Sequence, residues 1–175
     1  MALEYEVKVL DIDENDIIEK LEKIGAELIE DNLMKRWVFV EDGKADEWIR
    51  LRENGDKITI TYKKKSGHGI DETEEIEVNV DDFEKTAEIF NKLKFKERKY
   101  QENRRKFYRL GDIEFCIDSW PKIPTYLEVE SYNEQKVLEG LSLLGLEGMD
   151  SGNMSVISVY EKYGIDLHSY DILKF

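Results

Sequence analysis

Apolar and charged positions alternate along most of this chain. Leu3, Tyr5, Val7 and Val9 point one way and Glu4, Glu6 and Lys8 the other, which predicts a strand over residues 3–10. The pattern then changes to helical spacing. Asp13 to Asp16 form a capping start, Ile17, Ile18, Leu21 and Ile24 an apolar stripe, and Gly25 a stop. Residues 26–40 read as extended, with Trp37 and Phe39 on one face and Arg36 on the other. In 46–53, Ile49 and Leu51 oppose Trp48, Arg50 and Arg52, and Asn54-Gly55 is a strong hairpin signal into 57–65. That return strand sets Ile58, Ile60 and Tyr62 against Lys57, Thr59, Thr61, Lys63 and Lys65. Residues 71–80 alternate Ile76, Val78 and Val80 with Glu75, Glu77 and Asn79.

A second helix follows the Asp81-Asp82 cap, with Phe83, Ala87, Phe90 and Leu93 on its stripe. The basic stretch 95–110 turns at Gly111 into 113–119, where Ile113, Phe115 and Ile117 face away from Glu114, Cys116 and Asp118. Two prolines stiffen 120–124. Residues 126–131 set Leu127 and Val129 against Glu128 and Glu130. Asn133 caps a third helix carrying Val137, Leu138, Leu141 and Leu144, a short fourth spans 153–163, and the apolar tail 172–175 is expected to dock.

Helices with apolar stripes need apolar sheet to cover. The charged strand faces then lie on the sheet's other side. Two arrangements fit. An open sheet would leave the charged face in water. Eight antiparallel strands can also close, which puts that face inside. The charged face carries like charges two residues apart: Glu4/Glu6, Arg50/Arg52, Lys63/Lys65, Glu75/Glu77 and Glu128/Glu130. Such pairs are costly unless a counter-charge faces them, which favours the enclosed form. The expectation is an α+β fold, a closed eight-stranded antiparallel β-barrel forming a tunnel with helices outside, as a single domain over 1–175.

Composition narrows the chemistry. A length of 175 residues suits one domain with a real core. No apolar run approaches the ~20 residues of a membrane span, and the acidic N-terminus lacks a hydrophobic signal segment, so a cytoplasmic protein with no membrane partner is expected. A net charge of −14 disfavours nucleic acid as a partner. It also makes a local gathering of Arg and Lys informative. Cys116 is the single cysteine, which excludes an internal disulfide and a Cys-rich zinc site. His68 and His168 lack ligand spacing, and neither a P-loop nor a Ser/His/Asp or Cys/His set is present.

If the charged faces converge, they form two groups. Glu4, Glu6, Asp118, Glu128 and Glu130 are acidic, and all-oxygen ligands of that density select hard cations, Mg²⁺ or Mn²⁺. Lys8, Arg50, Arg52, Lys63, Lys65 and Arg105 are basic and suit several oxyanions, phosphate first. Metal on one side and cations on the other is the arrangement phosphoryl chemistry requires.

The same residues carry a resemblance. Glu4-Tyr5-Glu6-Val7-Lys8 resembles the ExExK signature of the CYTH superfamily, the triphosphate tunnel metalloenzymes. It is followed in order by the RxR of Arg50 and Arg52, the TxK of Thr61 and Lys63, the ExE of Glu75 and Glu77, Asp118, and the ExE of Glu128 and Glu130. The resemblance implies an eight-stranded tunnel binding triphosphates with divalent metal. In it Glu4, Glu6, Asp118, Glu128 and Glu130 hold metal, and Lys8, Arg50, Arg52, Lys63 and Arg105 hold phosphates. Catalysis is assigned to Glu4, Glu6, Lys8 and Glu130. For the family's KxR, Lys96-Glu97-Arg98 has the letters. Asn103-Arg104-Arg105 has the better distance to Asp118 but carries Asn where the family has Lys. The stretch 120–130 is similar to members labelled class IV adenylate cyclase-like.

Three functions remain open. The first is metal-dependent hydrolysis of a terminal phosphoanhydride in inorganic, nucleoside or thiamine triphosphate. The second is cyclisation of ATP to cyclic AMP and pyrophosphate. The third is polyphosphate binding without turnover. A small-molecule triphosphate is the expected partner, and a homodimer is compatible with all three.

Overall fold

A computed structural model describes residues 5–41, 46–65, 73–93, 95 and 97–175, excluding the side chains of Lys65, Thr73, Glu74 and Glu97. Glu4 and His68 therefore lie outside the described residues, as does the Lys65 side chain.

The chain divides into two compact units. Met1–Asn32 and Asn103–Leu167 make the first, Leu33–Glu102 and His168–Phe175 the second. Two long strands, β2 (Glu27–Val40) and β6 (Glu97–Leu110), contribute residues to both.

In the first unit β1 (Tyr5–Val9) pairs antiparallel with β8 (Tyr126–Ser131), and β8 pairs antiparallel with β7 (Ile113–Ser119). The β7 strand pairs antiparallel with β6. Three helices belong here: α1 (Glu14–Lys23), α3 (Glu134–Leu143) and α4 (Val156–Lys162). Asp13 caps α1 by accepting from the backbone N–H groups of Asn15 and Asp16. The core joins Val9, Ile113, Phe115, Ile117, Leu127 and Val129 of the strands to Ile17 and Leu21 of α1 and Val137 and Leu141 of α3. The apolar strand face is thus the one the helices cover, as the alternation requires.

On α3 the covering stripe differs from the expected one. Leu138 is exposed, and Gly140 faces the sheet. At 100° per residue, position 138 falls to the side of the line through 137, 141 and 144. A Cβ at Gly140 would lie 2.9 Å from both Ile113 Cγ2 and Val129 Cγ1, so glycine permits the close approach.

In the second unit β3 (Glu47–Asn54) pairs antiparallel with β2 and with β4 (Lys57–Lys65), and β4 pairs antiparallel with β5 (Thr73–Val80). The Asn54-Gly55 hairpin forms as expected, with Gly55 at φ 57°. Helix α2 (Phe83–Asn91) seals the core with Phe83 and Ala87 against Phe39 and Leu51. Phe39 also stacks on Phe90 at 5.2 Å. Coverage stops short of β5, where Ile76 and Val78 are exposed. The C-terminal tail does dock: β9 (Ile172–Leu173) pairs parallel with β6, and Leu173 is buried, although Ile172 and Phe175 stay exposed.

The fold is α+β, as expected, and the described residues form one strand more than the eight read from the sequence. The addition is the two-residue β9. Among the described residues the strand path has two ends, β1 and β5. A closed barrel is therefore not shown.

Candidate active site

Strand register decides which charges meet in the first unit. Directly opposed residues on antiparallel neighbours share a face. One row across β1, β8 and β7 reads Lys8, Glu128, Cys116. The next reads Glu6, Glu130, Glu114. A third, on β8, β7 and β6, reads Tyr126, Asp118, Arg105. Glu114 at the end of that row is served by Arg109 of β6 at 2.7 Å, whereas Glu6 and Glu130 are directly opposed carboxylates, an arrangement that favours a positive partner.

Glu6, Glu128 and Glu130 supply it with a cage. Each offers an oxygen within 4.8 Å of the others'. Three hard oxygen donors suit a divalent cation of the Mg²⁺ or Mn²⁺ type and offer zinc neither nitrogen nor sulfur. Lys8 stands beside them. Its Nζ lies 2.9 Å from Glu128 and 3.2 Å from Glu6, and the side chain is buried. Burial pulls the Lys8 pKa down, but the charges of Glu128 and Glu6 outweigh it and raise it above 10.5. The backbone at Lys8 is pinned as well. Its N–H donates to the Gly152 carbonyl at 3.1 Å, and its own carbonyl accepts from Ser151 N–H at 2.7 Å.

Arg105 is set from the other side. Its Nε donates to Asp118 Oδ1 at 2.9 Å, and its Nη2 reaches Asp118 Oδ2 and, at 3.2 Å, Glu128. The fully buried Asp118 also accepts from the Asn103 amide at 3.0 Å. Asp118 stands apart from the three grouped carboxylates, with its oxygens turned to Arg105 and Asn103. Asn103, read from the sequence only as a missing lysine, is itself buried and helps hold Asp118. Arg98 is elsewhere, exposed and donating to the Asn91 carbonyl at 3.3 Å. Cys116 is buried beside the site, and burial pushes its thiol up to about 12, so it stays protonated.

The second unit gathers the remaining basic residues. Rows across β2, β3 and β4 read Arg36, Arg52, Thr59 and Val38, Arg50, Thr61. Glu77 faces Thr61 and accepts its hydroxyl at 2.8 Å, and Lys63 pairs with Glu75. Burial lowers the Arg50 pKa, the neighbouring Arg52 charge lowers it further, and Glu75 and Glu77 only partly offset them. Arg36 and Thr59 were not assigned to the site from the sequence. Their signal lay in strand parity, which the register turns into adjacency.

Comparison with known proteins agrees with the geometry. The chain matches the CYTH domain model over residues 2–149, a stretch that includes residues of both units, and it belongs to that family. It is 33% identical to MJ0240 of Methanocaldococcus jannaschii, a provisionally named adenylate cyclase, over 94% of this chain and 98% of the other. The structure of the PH1012 protein of Pyrococcus horikoshii OT3 is similar at TM-score 0.70 and 25% identity, over 90% of this chain and 99% of that one. HpAC1 from Hippeastrum, provisionally named an adenylyl cyclase and described with a dominant triphosphatase activity, shares the fold at TM-score 0.58 and 16% identity, over 93% of this chain and 97% of that one. No helix among the described residues is long and apolar enough to cross a membrane.

Proposed function

We propose that this protein is a divalent-metal-dependent triphosphatase, acting on inorganic triphosphate or on a nucleoside or thiamine triphosphate. One observation carries the reading: Glu6, Glu128 and Glu130 bring oxygens within 4.8 Å of one another, beside the buried Lys8 and the braced Arg105. Those carboxylates are the proposed ligands of Mg²⁺ or Mn²⁺, with Glu4 as a further candidate. A metal bound there would acidify its water and screen the charge of the phosphates.

Lys8 supplies a point charge to a phosphoryl oxygen. Arg105, held by Asp118 and Glu128, is pre-aligned, so little of its freedom is lost when phosphate binds. In hydrolysis a water oxygen forms a bond to the terminal phosphorus and the bridging P–O bond breaks. Inorganic triphosphate then yields orthophosphate and pyrophosphate. In this reading Asp118 acts through Arg105 rather than on the metal. Arg50, Arg52, Lys63 and Lys65 are proposed as further phosphate contacts. A closed eight-stranded tunnel, one domain over 1–175 and a cytoplasmic location also belong to the proposal.

A second reading, cyclisation of ATP, draws support from the name of MJ0240. Products separate the two. Purified protein with Mg²⁺ or Mn²⁺ is expected to release orthophosphate from inorganic triphosphate. Cyclic AMP and pyrophosphate from ATP would instead establish the cyclase. Tight triphosphate binding by folded, metal-loaded protein with neither product would leave a binding module.

A further inference from the structure

Lys8 is held by a segment that the charge motifs do not include. Among the described residues β1 is an end of the strand path, with β8 on one side. A strand residue turns its N–H and C=O to the same side, and successive residues alternate sides. Both backbone groups of Lys8 point away from β8: the N–H donates to the Gly152 carbonyl at 3.1 Å, and the carbonyl accepts from Ser151 N–H at 2.7 Å. Residues 151–152 thus serve as a short strand on the open edge of β1. Lys8 and Glu128 are then directly opposed without exchanging backbone hydrogen bonds, the kind of pair in which side chains stand closer. From that position the ammonium reaches Glu128 at 2.9 Å and Glu6 at 3.2 Å.

The segment is itself firmly fixed. Gly152 has φ 72°, a left-handed conformation that glycine adopts without steric cost. Its N–H donates to Asp150 Oδ1 at 3.1 Å, a turn that an aspartate closes with its own side chain. Its carbonyl accepts from Met154 N–H at 3.1 Å as well as from Lys8. Ser151 Oγ accepts from Lys162 Nζ at 3.1 Å. Lys162 ends α4, whose Val159 and Tyr160 are fully buried. Tyr160 donates its hydroxyl to the Pro121 carbonyl at 2.7 Å. Tyr163, which caps α4, donates to Asp11 Oδ1 at 2.8 Å, just past the end of β1. A buried helix therefore grips β1 at Lys8, through 151–152, and again at Asp11. An edge cover could have been placed anywhere along β1; this one is placed at the residue whose ammonium joins the carboxylates.

We propose that residues 150–152 are a positioning device for Lys8, in which Asp150 and Gly152 fix the backbone from which its ammonium meets a phosphoryl oxygen of the substrate. This rests on the triphosphatase reading above and adds residues that the charge motifs leave out. All of them follow the stretch matched to the CYTH domain, which ends at 149. A lysine carries a point charge on a flexible stem. Its carboxylate partners can orient that charge only if the stem starts from a fixed place. Misplacing a reacting or positioning group by ~1 Å can cost about a hundredfold in rate. Among the described residues β8 is the only strand bonded to β1, so the other side of Lys8 depends on this segment.

The test compares the full chain with Asp150→Ala, Asp150→Asn and Gly152→Ala. Asp150 is exposed, and a Cβ at Gly152 meets nothing within 4 Å, so neither alanine disturbs packing. Hydrogen exchange of the Lys8 amide, read by NMR without substrate, reports the clamp itself. Orthophosphate release from inorganic triphosphate with saturating Mg²⁺ gives kcat and KM. Both alanine variants should speed Lys8 exchange about tenfold and lower kcat about five- to tenfold, with KM within about twofold of wild type. Their melting temperatures should stay within about 4 °C of it. Asp150→Asn keeps a side-chain oxygen that can accept from Gly152 and should recover most of kcat. Lys8 exchange unchanged in both alanine variants, or faster exchange with kcat unchanged, would overturn the positioning role and leave the triphosphatase reading standing. A kcat loss that follows a melting-temperature drop of about 10 °C or more, and that Asp150→Asn does not recover, would assign the segment to stability alone. Wild type that protects the Lys8 amide yet releases no orthophosphate would remove the parent reading and this inference with it.

Discussion

Glu128 is a carboxylate that burial alone would neutralise. Burial raises its pKa, but the charges of Arg105 and Lys8 outweigh that effect and bring it below 4.5. The native state therefore holds fewer protons than the unfolded chain in this range. The resulting stability is complete above about pH 4.5 and is lost as pH falls through the folded value. Lys8 works in the opposite sense. Its raised pKa gives stability that is complete below 10.5 and lost as pH climbs through the folded value. Urea melts across pH should show wild-type stability falling more steeply below pH 4.5 than that of Glu128→Gln. Equal slopes would mean the carboxylate is not held ionised by its partners. Asp118 gives a second measurement at this scale. Replacing it by Asn leaves the Arg105 guanidinium without its main counter-charge, which should cost about 3–5 kcal/mol in denaturant unfolding.

Elements place these residues by packing on the opposite side of the sheet. The approach of α3 to β7 and β8 depends on Gly140. Alanine there would gain about 1 kcal/mol of helix propensity. It would also drive a methyl to 2.9 Å from Ile113 and Val129, and overpacking of that kind costs about 1–3 kcal/mol. Gly140→Ala should therefore be destabilising on balance, and a rise in melting temperature would show that the helix can shift freely. In the second unit, Leu173→Ala should cost about 2–5 kcal/mol, because Leu173 is 1% exposed and anchors β9 to β6.

At the scale of the whole molecule the charge balance becomes a statement about ligands. A chain of net charge −14 still gathers Arg36, Arg50, Arg52 and Lys63 on one face of its second unit. In its first unit it places three carboxylates around one point. Millimolar Mg²⁺ or Mn²⁺ should raise the melting temperature by mass action. Glu130→Gln should remove most of that rise and, in the proposed enzyme, phosphate release with it. A metal-induced shift that persists in Glu130→Gln would place the cation elsewhere.

Alternation by itself determined much of this protein. Period-two runs marked the strands, the capping aspartates Asp13 and Asp82 and Asn133 marked three helix starts, and the ordered charge pairs pointed to the family. Each is a local property, set by backbone geometry within a few residues. Other features were decided only by tertiary contact. Register made Glu6, Glu128 and Glu130 neighbours, turned Asp118 toward Arg105 and Asn103, and aligned Arg36 with Arg52 and Thr59. Leu138, expected on the buried stripe, is exposed, and Gly140 faces the sheet, because a helix buries the line its partner sheet selects. Parity assigns a side chain to a face. The pairing of distant strands determines which charges on that face come within reach, and Coulomb's law acts on that distance.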